Sequence, residues 1–467
     1  MTATKSIEPV PAARVEGAGR RIREDYPGPP PFALPGLLRK LWRDRLSLLA
    51  DAAQEFGDVV RFTMGPKTIY FFNHPDHAKH VLADNAVNYH KGMGLAEARR
   101  VLGDGLLTSE GEKWRHQRRA VAPAFRRERI AGFAGVVSDE VGAMLGRLDS
   151  LVDGPPVDLV SEMTHLTIGV LGRTLLDADL TPLSTLGPAF EVIQDQAMFE
   201  MVTLGALPLW LPLARNRRFR AARRQLEDAV QALLAGRERV GTNDGDDVIS
   251  LLLRAHRNEP DVRSRHRTLN DELVTIMLAG HETTASTLSW TWYLLTRSPR
   301  VARIVGAEAA EALGDRVPDH EDLARLPYTT MVIQEAMRLY PPVWGLPRKA
   351  VGPDEIGGFR VPAGADVMIC PYTLHRHPGF WADPGEFRPE RFESAGAGHA
   401  HRYAYIPFGA GPRVCVGSHL GMMEAVMVTA MVARRFRFEL ADGVDPVPEA
   451  MLSLRVRGGL PMTVRRA

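Results

Sequence analysis

The run Phe408-Gly409-Ala410-Gly411-Pro412-Arg413-Val414-Cys415-Val416-Gly417 brings one thiol to the end of a glycine-rich loop, and a long apolar helical pattern begins directly after it. This juxtaposition constrains the chain more than any other. Glycines let a backbone curl its N–H groups toward one atom, and a buried thiolate needs such donors to hold its charge. A sulfur held in this way suits strong electron donation to iron, as a thiolate-ligated haem requires. A lone cysteine is ordinarily a small buried hydrophobe. The loop before this one, and the patterns elsewhere in the chain, single it out.

The 467 residues are ample for a large core, and the formal charge of +2 gives nothing global that points to nucleic acid. Cys370 and Cys415 are the only cysteines, which is no disulfide framework and fits a reducing cytosol. Residues 1–25 carry Lys5, Arg14, Arg20, Arg21 and Arg23 without an apolar block. They read as a disordered tail with neither signal peptide nor membrane anchor. Pro27-Gly28-Pro29-Pro30-Pro31 reads as a stiff, extended lead-in.

A helix is expected near Leu37 to Glu55, then strands at Val59–Met64 and Thr68–Phe72 joined at Gly65-Pro66. From Pro75 to about residue 350 the pattern is mainly helical. Short β-like runs return at Ile356-Gly357-Gly358-Phe359 and Val367-Met368-Ile369. A Pro/Gly/Arg-rich meander spans about His377 to Ala410, and one more helix is expected near Leu420 to Arg435. No repeat or composition shift marks a boundary. The chain reads as one α+β domain over 26–467, mainly α with a small β-rich region. Two loops, Asn88 to Leu106 and Phe199 to Arg215 (with Trp210), suit capping a cavity, although ordinary core packing explains the second equally well.

The longest helical pattern, about Asp271 to Arg297, contains Ala279-Gly280-His281-Glu282-Thr283-Thr284. A bilayer-spanning helix would rarely carry His281 and Glu282 at its middle. Gly280 costs a helix about 1 kcal/mol relative to Ala, so its presence needs a reason. Ala279 and Gly280 together would let a flat ligand approach closely. A threonine hydroxyl bonds the carbonyl one turn back and opens a helix locally, leaving room for water or O2. Glu282 and Thr283 would then form a proton relay. The competing reading is a solvated acid on an exposed face.

Glu335 and Arg338 lie three apart on one helical face. The spacing alone says little, since Glu97/Arg100 and Glu112/Arg115 share it and surface ion pairs are common. This copy precedes the helix stop Leu339-Tyr340-Pro341-Pro342, and the meander supplies Phe387-Arg388-Pro389-Glu390-Arg391-Phe392. Arg391 is expected to complete a Glu–Arg–Arg cluster that fixes geometry. Trp114 and Arg118, four apart, suit a carboxylate such as a haem propionate, and Arg348 and Arg413 are further candidates.

Together and in this order these features resemble the cytochrome P-450 family, of the soluble bacterial type, from about Tyr26 to the end of the chain. The resemblance implies a triangular, mainly helical fold with haem b between the long helix and the helix after Cys415. It implies Cys415 as the axial ligand with Phe408 packed beside it. Ala279 and Gly280 would border the cofactor, Glu282 and Thr283 would relay protons, and Trp114, Arg118, Arg348 and Arg413 would hold the propionates. The implied activity is insertion of one oxygen atom from O2 into a C–H bond of a lipophilic small molecule, a terpene or polyketide of secondary metabolism. Electrons would come from a separate ferredoxin and its NAD(P)H-dependent reductase, since no fused flavin or iron–sulfur domain is expected. A cytoplasmic monomer is expected. Two alternatives stay open: a peroxide-driven oxidase or isomerase on the same fold, and a non-catalytic haem sensor. The first usually lacks the acid–alcohol pair, and the second would not need it. Glu282 stands where bacterial members often carry aspartate.

Overall fold

The structure is a computed structural model that describes residues 22–30, 33–64, 67–180, 186–203, 205–240, 245–314, 316–393 and 401–467. It is mainly helical with small sheets, as the sequence pattern implies. The helix Val262–Arg297 runs 36 residues through the core. It starts nine residues before Asp271 because Asp261 caps it, accepting from the Arg263 N–H at 2.9 Å. Its first turns are polar and mostly exposed, so apolar periodicity does not reveal them. The helix Ser418–Ala433, directly after the cysteine loop, is buried almost all round, the pattern of a core helix. The two approach closely: a methyl group on Gly421 would sit 3.7 Å from the Thr284 hydroxyl.

The main sheet has five strands in the order Val59–Met64, Lys67–Phe72, Asp366–Ile369, Leu346–Ala350, Tyr89–Lys91. The second and third run parallel, and the other pairs are antiparallel. This register sets Lys91 opposite Arg348, with consequences for the site.

Local differences from the sequence reading have local causes. The expected helix over 37–55 is two, Leu34–Arg43 and Arg45–Phe56, because Asp44 caps the second by accepting from the Ser47 N–H and hydroxyl at 3.0 and 2.6 Å. Ile356 and Phe359 end two strands rather than forming one, since Gly357 and Gly358 both take positive φ, 59° and 85°, and make a hairpin turn. The first expected loop contains the strand Tyr89–Lys91 and the helix Leu95–Leu102. Phe199 belongs to the helix Leu186–Thr203, which leaves a loop only before the helix Ala214–Val240. Of the expected tail, residues 1–21 lie outside the described residues, as do Gly65 and Pro66. Arg23 bridges to Phe359, and buried Tyr26 donates its hydroxyl to the Arg360 carbonyl at 2.6 Å. Among the described residues no helix is long and apolar enough to cross a membrane.

Candidate active site

The cysteine loop is shaped by its glycines. Gly409 and Gly411 hold φ of 72° and 66°, where a side chain is strained. A Cβ on Gly411 would also overlap the Leu82 carbonyl oxygen, so the loop rests directly on the turn His80–Asp84. The Cys415 N–H donates to the Phe408 carbonyl at 2.9 Å, closing the loop on itself. Phe408 is partly buried against the main core. Protein surrounds the Cys415 thiol closely enough that burial pushes its pKa up, against the Gly417 N–H and the Arg118 guanidinium, which favour the thiolate. Yet the residue is exposed. A side chain both enclosed and open faces a hollow in the interior.

The middle of the long helix behaves similarly. Ala279 is exposed although Leu278 and His281 beside it are buried. Gly280 has a packing reason to lack a side chain. A Cβ there would meet the Leu171 side chain at 2.6 Å, so its smallness lets the helix Leu159–Leu171 pack closely. His281 is buried, with Nδ1 2.6 Å from the Met277 carbonyl oxygen and its ring 4.7 Å from that of Phe190. Burial pulls its pKa down to about 4, so it sits in the core uncharged at neutral pH. Thr283 donates to the Ala279 carbonyl at 3.0 Å, the bond expected one turn back, but the helix stays continuous instead of opening. Glu282 accepts from the Ser453 hydroxyl at 2.5 Å. Burial pushes its pKa up to about 7; Ser453 and Arg455 lower it and Glu191 raises it. The acid and the alcohol are therefore chain neighbours that bond different partners.

A cluster of cations lines the other side of the cysteine loop. Arg413 lies 4.0 Å from the centre of the Trp114 ring and donates to the Ser109 carbonyl at 2.9 Å and to the Glu110 carboxylate. Its other terminal nitrogen is buried with no partner among the described residues. Arg348 is buried and donates to the Pro347 carbonyl at 2.9 Å. Burial, then Arg413, lowers its pKa to about 10. Lys91 is held well below the usual lysine range by burial first, then by Arg348 and Arg413. Burial also lowers Arg118, while Cys415 stabilises its charge. Among the described residues, an interior that gathers Lys91, Arg348 and Arg413 around Glu110 carries surplus positive charge, which is costly without an anion. Lys91 and Glu110 escape sequence reasoning. Lys91 enters through strand register, and Glu110 precedes the helix Gly111–Val121 without any motif of its own.

The Glu335–Arg338–Arg391 cluster forms as expected. Both Glu335 and Arg338 are fully buried. Arg338 donates to the two Glu335 carboxylate oxygens at 2.7 and 2.8 Å, and Arg391 joins at 2.9 Å. Arg338 also donates to the carbonyls of His375, Pro384 and Glu386. His375 in turn accepts from the Ile406 N–H at 2.9 Å, two residues before Phe408. The cluster thus reaches the cysteine loop through His375, whose carbonyl accepts from Arg338 and whose imidazole accepts from the Ile406 N–H. The other copies of the spacing differ: Arg115 and Glu112 pair at the surface, whereas Glu97 caps its helix through the Gly94 N–H and Arg100 pairs with Glu200.

The cytochrome P-450 family model matches residues 26–461. The chain is similar to cyclooctatin synthase of Streptomyces melanosporofaciens, 35% identical over 430 residues that cover 92% of each protein. It is 35% identical to cyclooctat-9-en-7-ol 5-monooxygenase of the same organism over 438 residues, 93% of this chain and 94% of that one. It is 30% identical to pentalenene oxygenase of Streptomyces avermitilis over 400 residues, 85% of this chain and 88% of that one. With a glycine-held cysteine facing an internal hollow, and relatives aligned over nearly their whole length, the chain belongs to the cytochrome P-450 family of haem-thiolate monooxygenases.

Proposed function

We propose that this monooxygenase oxidises a C–H bond of a cyclic terpene in secondary metabolism, with O2 as oxidant and electrons from a ferredoxin and its NAD(P)H-dependent reductase. The observation that carries the site assignment is the surplus of buried cations beside an enclosed thiol. A haem offers a metal to the sulfur and two carboxylates to the cations, so the residues present fit it. Cys415 would hold the iron, with Phe408 packed at its side. Trp114, Arg118, Arg348 and Arg413, joined by Lys91, would hold the propionates. When bound, haem with a thiolate ligand supplies the activation of O2.

The remaining tasks fall to the chain. Ala279 gives the long helix a low wall toward the hollow. Thr283 and Glu282 hold and pass protons, the hydroxyl bonded to the Ala279 carbonyl and the carboxyl to Ser453. Arg100 of Leu95–Leu102 pairs at 3.0 Å with Glu200 of Leu186–Thr203 and donates to the Gly205 carbonyl at 2.8 Å. Glu200 is fully buried, so this pin draws the two helices together. The proposed site of work is the cytoplasm.

The terpene class is supported by the relatives, two of which are named for oxidation of cyclooctat-9-en-7-ol and pentalenene. The test is a spectral titration of purified haem protein against cyclic terpenes, macrolides and fatty acids. A low- to high-spin shift with terpenes, followed by ferredoxin-supported hydroxylation, is expected. A shift only with another class would replace the substrate assignment. Turnover with peroxide and none with redox partners would replace the electron route.

A further inference from the structure

Glu282 meets its hydrogen-bond donor from far along the chain. Ser453 lies in the turn between the strands Pro448–Ala450 and Leu454–Val456, and is 2% exposed. That turn is fastened to the long helix and its surroundings. The Leu454 carbonyl accepts from the Ser286 hydroxyl at 2.6 Å and from the Trp290 indole at 3.0 Å. The Met451 carbonyl accepts from the Trp344 indole at 2.7 Å. The backbone at Ser453 is therefore held between two anchored residues, with its hydroxyl 2.5 Å from the Glu282 carboxylate.

The same hairpin reaches solvent. Arg455, whose charge acts on Glu282, pairs with Glu449 at 2.9 Å and with Asp195 at 3.3 Å. These three residues line a surface cleft bordered by Trp42, Phe199 and Arg215. Around the Glu282 carboxyl, Arg455 attracts negative charge and Glu191 of Leu186–Thr203 repels it.

We propose that Ser453 is a positioning residue for the Glu282 carboxyl, and that Arg455 couples this carboxyl to Asp195 and Glu449 in the cleft, making the hairpin turn the side from which the relay takes up protons. The inference rests on the relay role given above to Glu282. The step moves one proton: solvent on the cleft side protonates the carboxylate, and the acid releases that proton on the Thr283 side, returning to carboxylate. Ser453 keeps the carboxyl turned toward the cleft between transfers and steadies its charged form.

The test is an infrared pH titration of the holoenzyme labelled with 13C-glutamate, the Glu282 band being the one lost in Glu282→Gln. In Ser453→Ala the midpoint moves up by about one pH unit, because a hydrogen bond to the carboxylate is gone. In Ser453→Thr it stays. In Glu449→Gln, a change at the cleft, it moves down because Arg455 is released from its partner. In parallel, the share of electrons lost as peroxide rises in Ser453→Ala and returns in Ser453→Thr. An unmoved midpoint in Ser453→Ala, or equal shifts for alanine and threonine, overturns the proposal. Peroxide leak in Glu282→Gln with none in Ser453→Ala overturns it while leaving the relay standing. No leak in either removes the relay as well.

Discussion

The Arg413 guanidinium lies over the Trp114 ring, joining the loop that carries Cys415 to the helix that carries Arg118. The stacking spares Arg413 some of the cost of burial. It leaves one buried nitrogen without a protein partner, in an interior shared with Lys91 and Arg348. The cluster makes sense as a cradle for carboxylates that the chain itself does not supply.

Removing one of these cations should have opposite effects with and without haem. Arg348→Met is expected to speed haem release about tenfold to a hundredfold, since a charge-assisted hydrogen bond contributes about 1.5–3 kcal/mol and 1.4 kcal/mol is a factor of ten. In the apoprotein the same change relieves repulsion and should raise the melting temperature. Haem transfer to apomyoglobin and thermal unfolding of the apoprotein measure the two. Faster haem release together with a lower apoprotein melting temperature would mean that Arg348 serves only protein structure.

The buried cluster at Glu335 should be costly to break. Glu335→Ala leaves two guanidiniums facing each other and strands the Arg388 N–H, which donates to Glu335 at 2.9 Å. A loss of about 3–5 kcal/mol is expected, the usual cost of uncompensated buried charge. It should register as a lower urea midpoint at unchanged slope.

Two glycines of the cysteine region should respond very differently to one added methyl group. Gly411→Ala combines a left-handed backbone with overlap against the Leu82 carbonyl, and neither can relax without moving the loop. Gly421→Ala meets the Thr284 hydroxyl at 3.7 Å, an ordinary contact. Haem content after purification should collapse in the first and stay near wild type in the second.

The pH dependence of stability should carry a mark of Glu282. Its folded carboxyl is raised from 4.5 to about 7, so the native state binds more protons than the unfolded chain between those values. Its effect on stability is most favourable below the unfolded pKa and is lost as pH rises through about 7. Thermal melts at pH 5 and pH 8 should therefore differ more in wild type than in Glu282→Gln, by on the order of 2 kcal/mol. Equal differences would mean that the carboxyl titrates normally.

What could be read from the sequence was what chemistry fixes at short range. The cysteine with its glycines, and Glu335 with Arg338, announce themselves because a turn and a helix face demand those spacings. Arg391 was legible through the meander motif that holds it. Groups brought together by tertiary pairing were hidden: Lys91 faces Arg348 only through strand register, and Ser453 is 171 residues from Glu282. Gly280 was legible as an anomaly but not in its cause, because its neighbour Leu171 belongs to another helix. Asp44 divides a helix whose apolar pattern runs on across it, since capping acts through one side chain.

The central claim is that the Cys415 sulfur is the metal ligand. The most direct measurement is the reduced carbon-monoxide difference spectrum of the purified protein beside Cys415→Ser, both supplied with haem during expression. The parent protein should show the red-shifted Soret band of thiolate ligation, and the serine variant should lose it together with oxygenation. The same band in both proteins would show that another residue holds the iron.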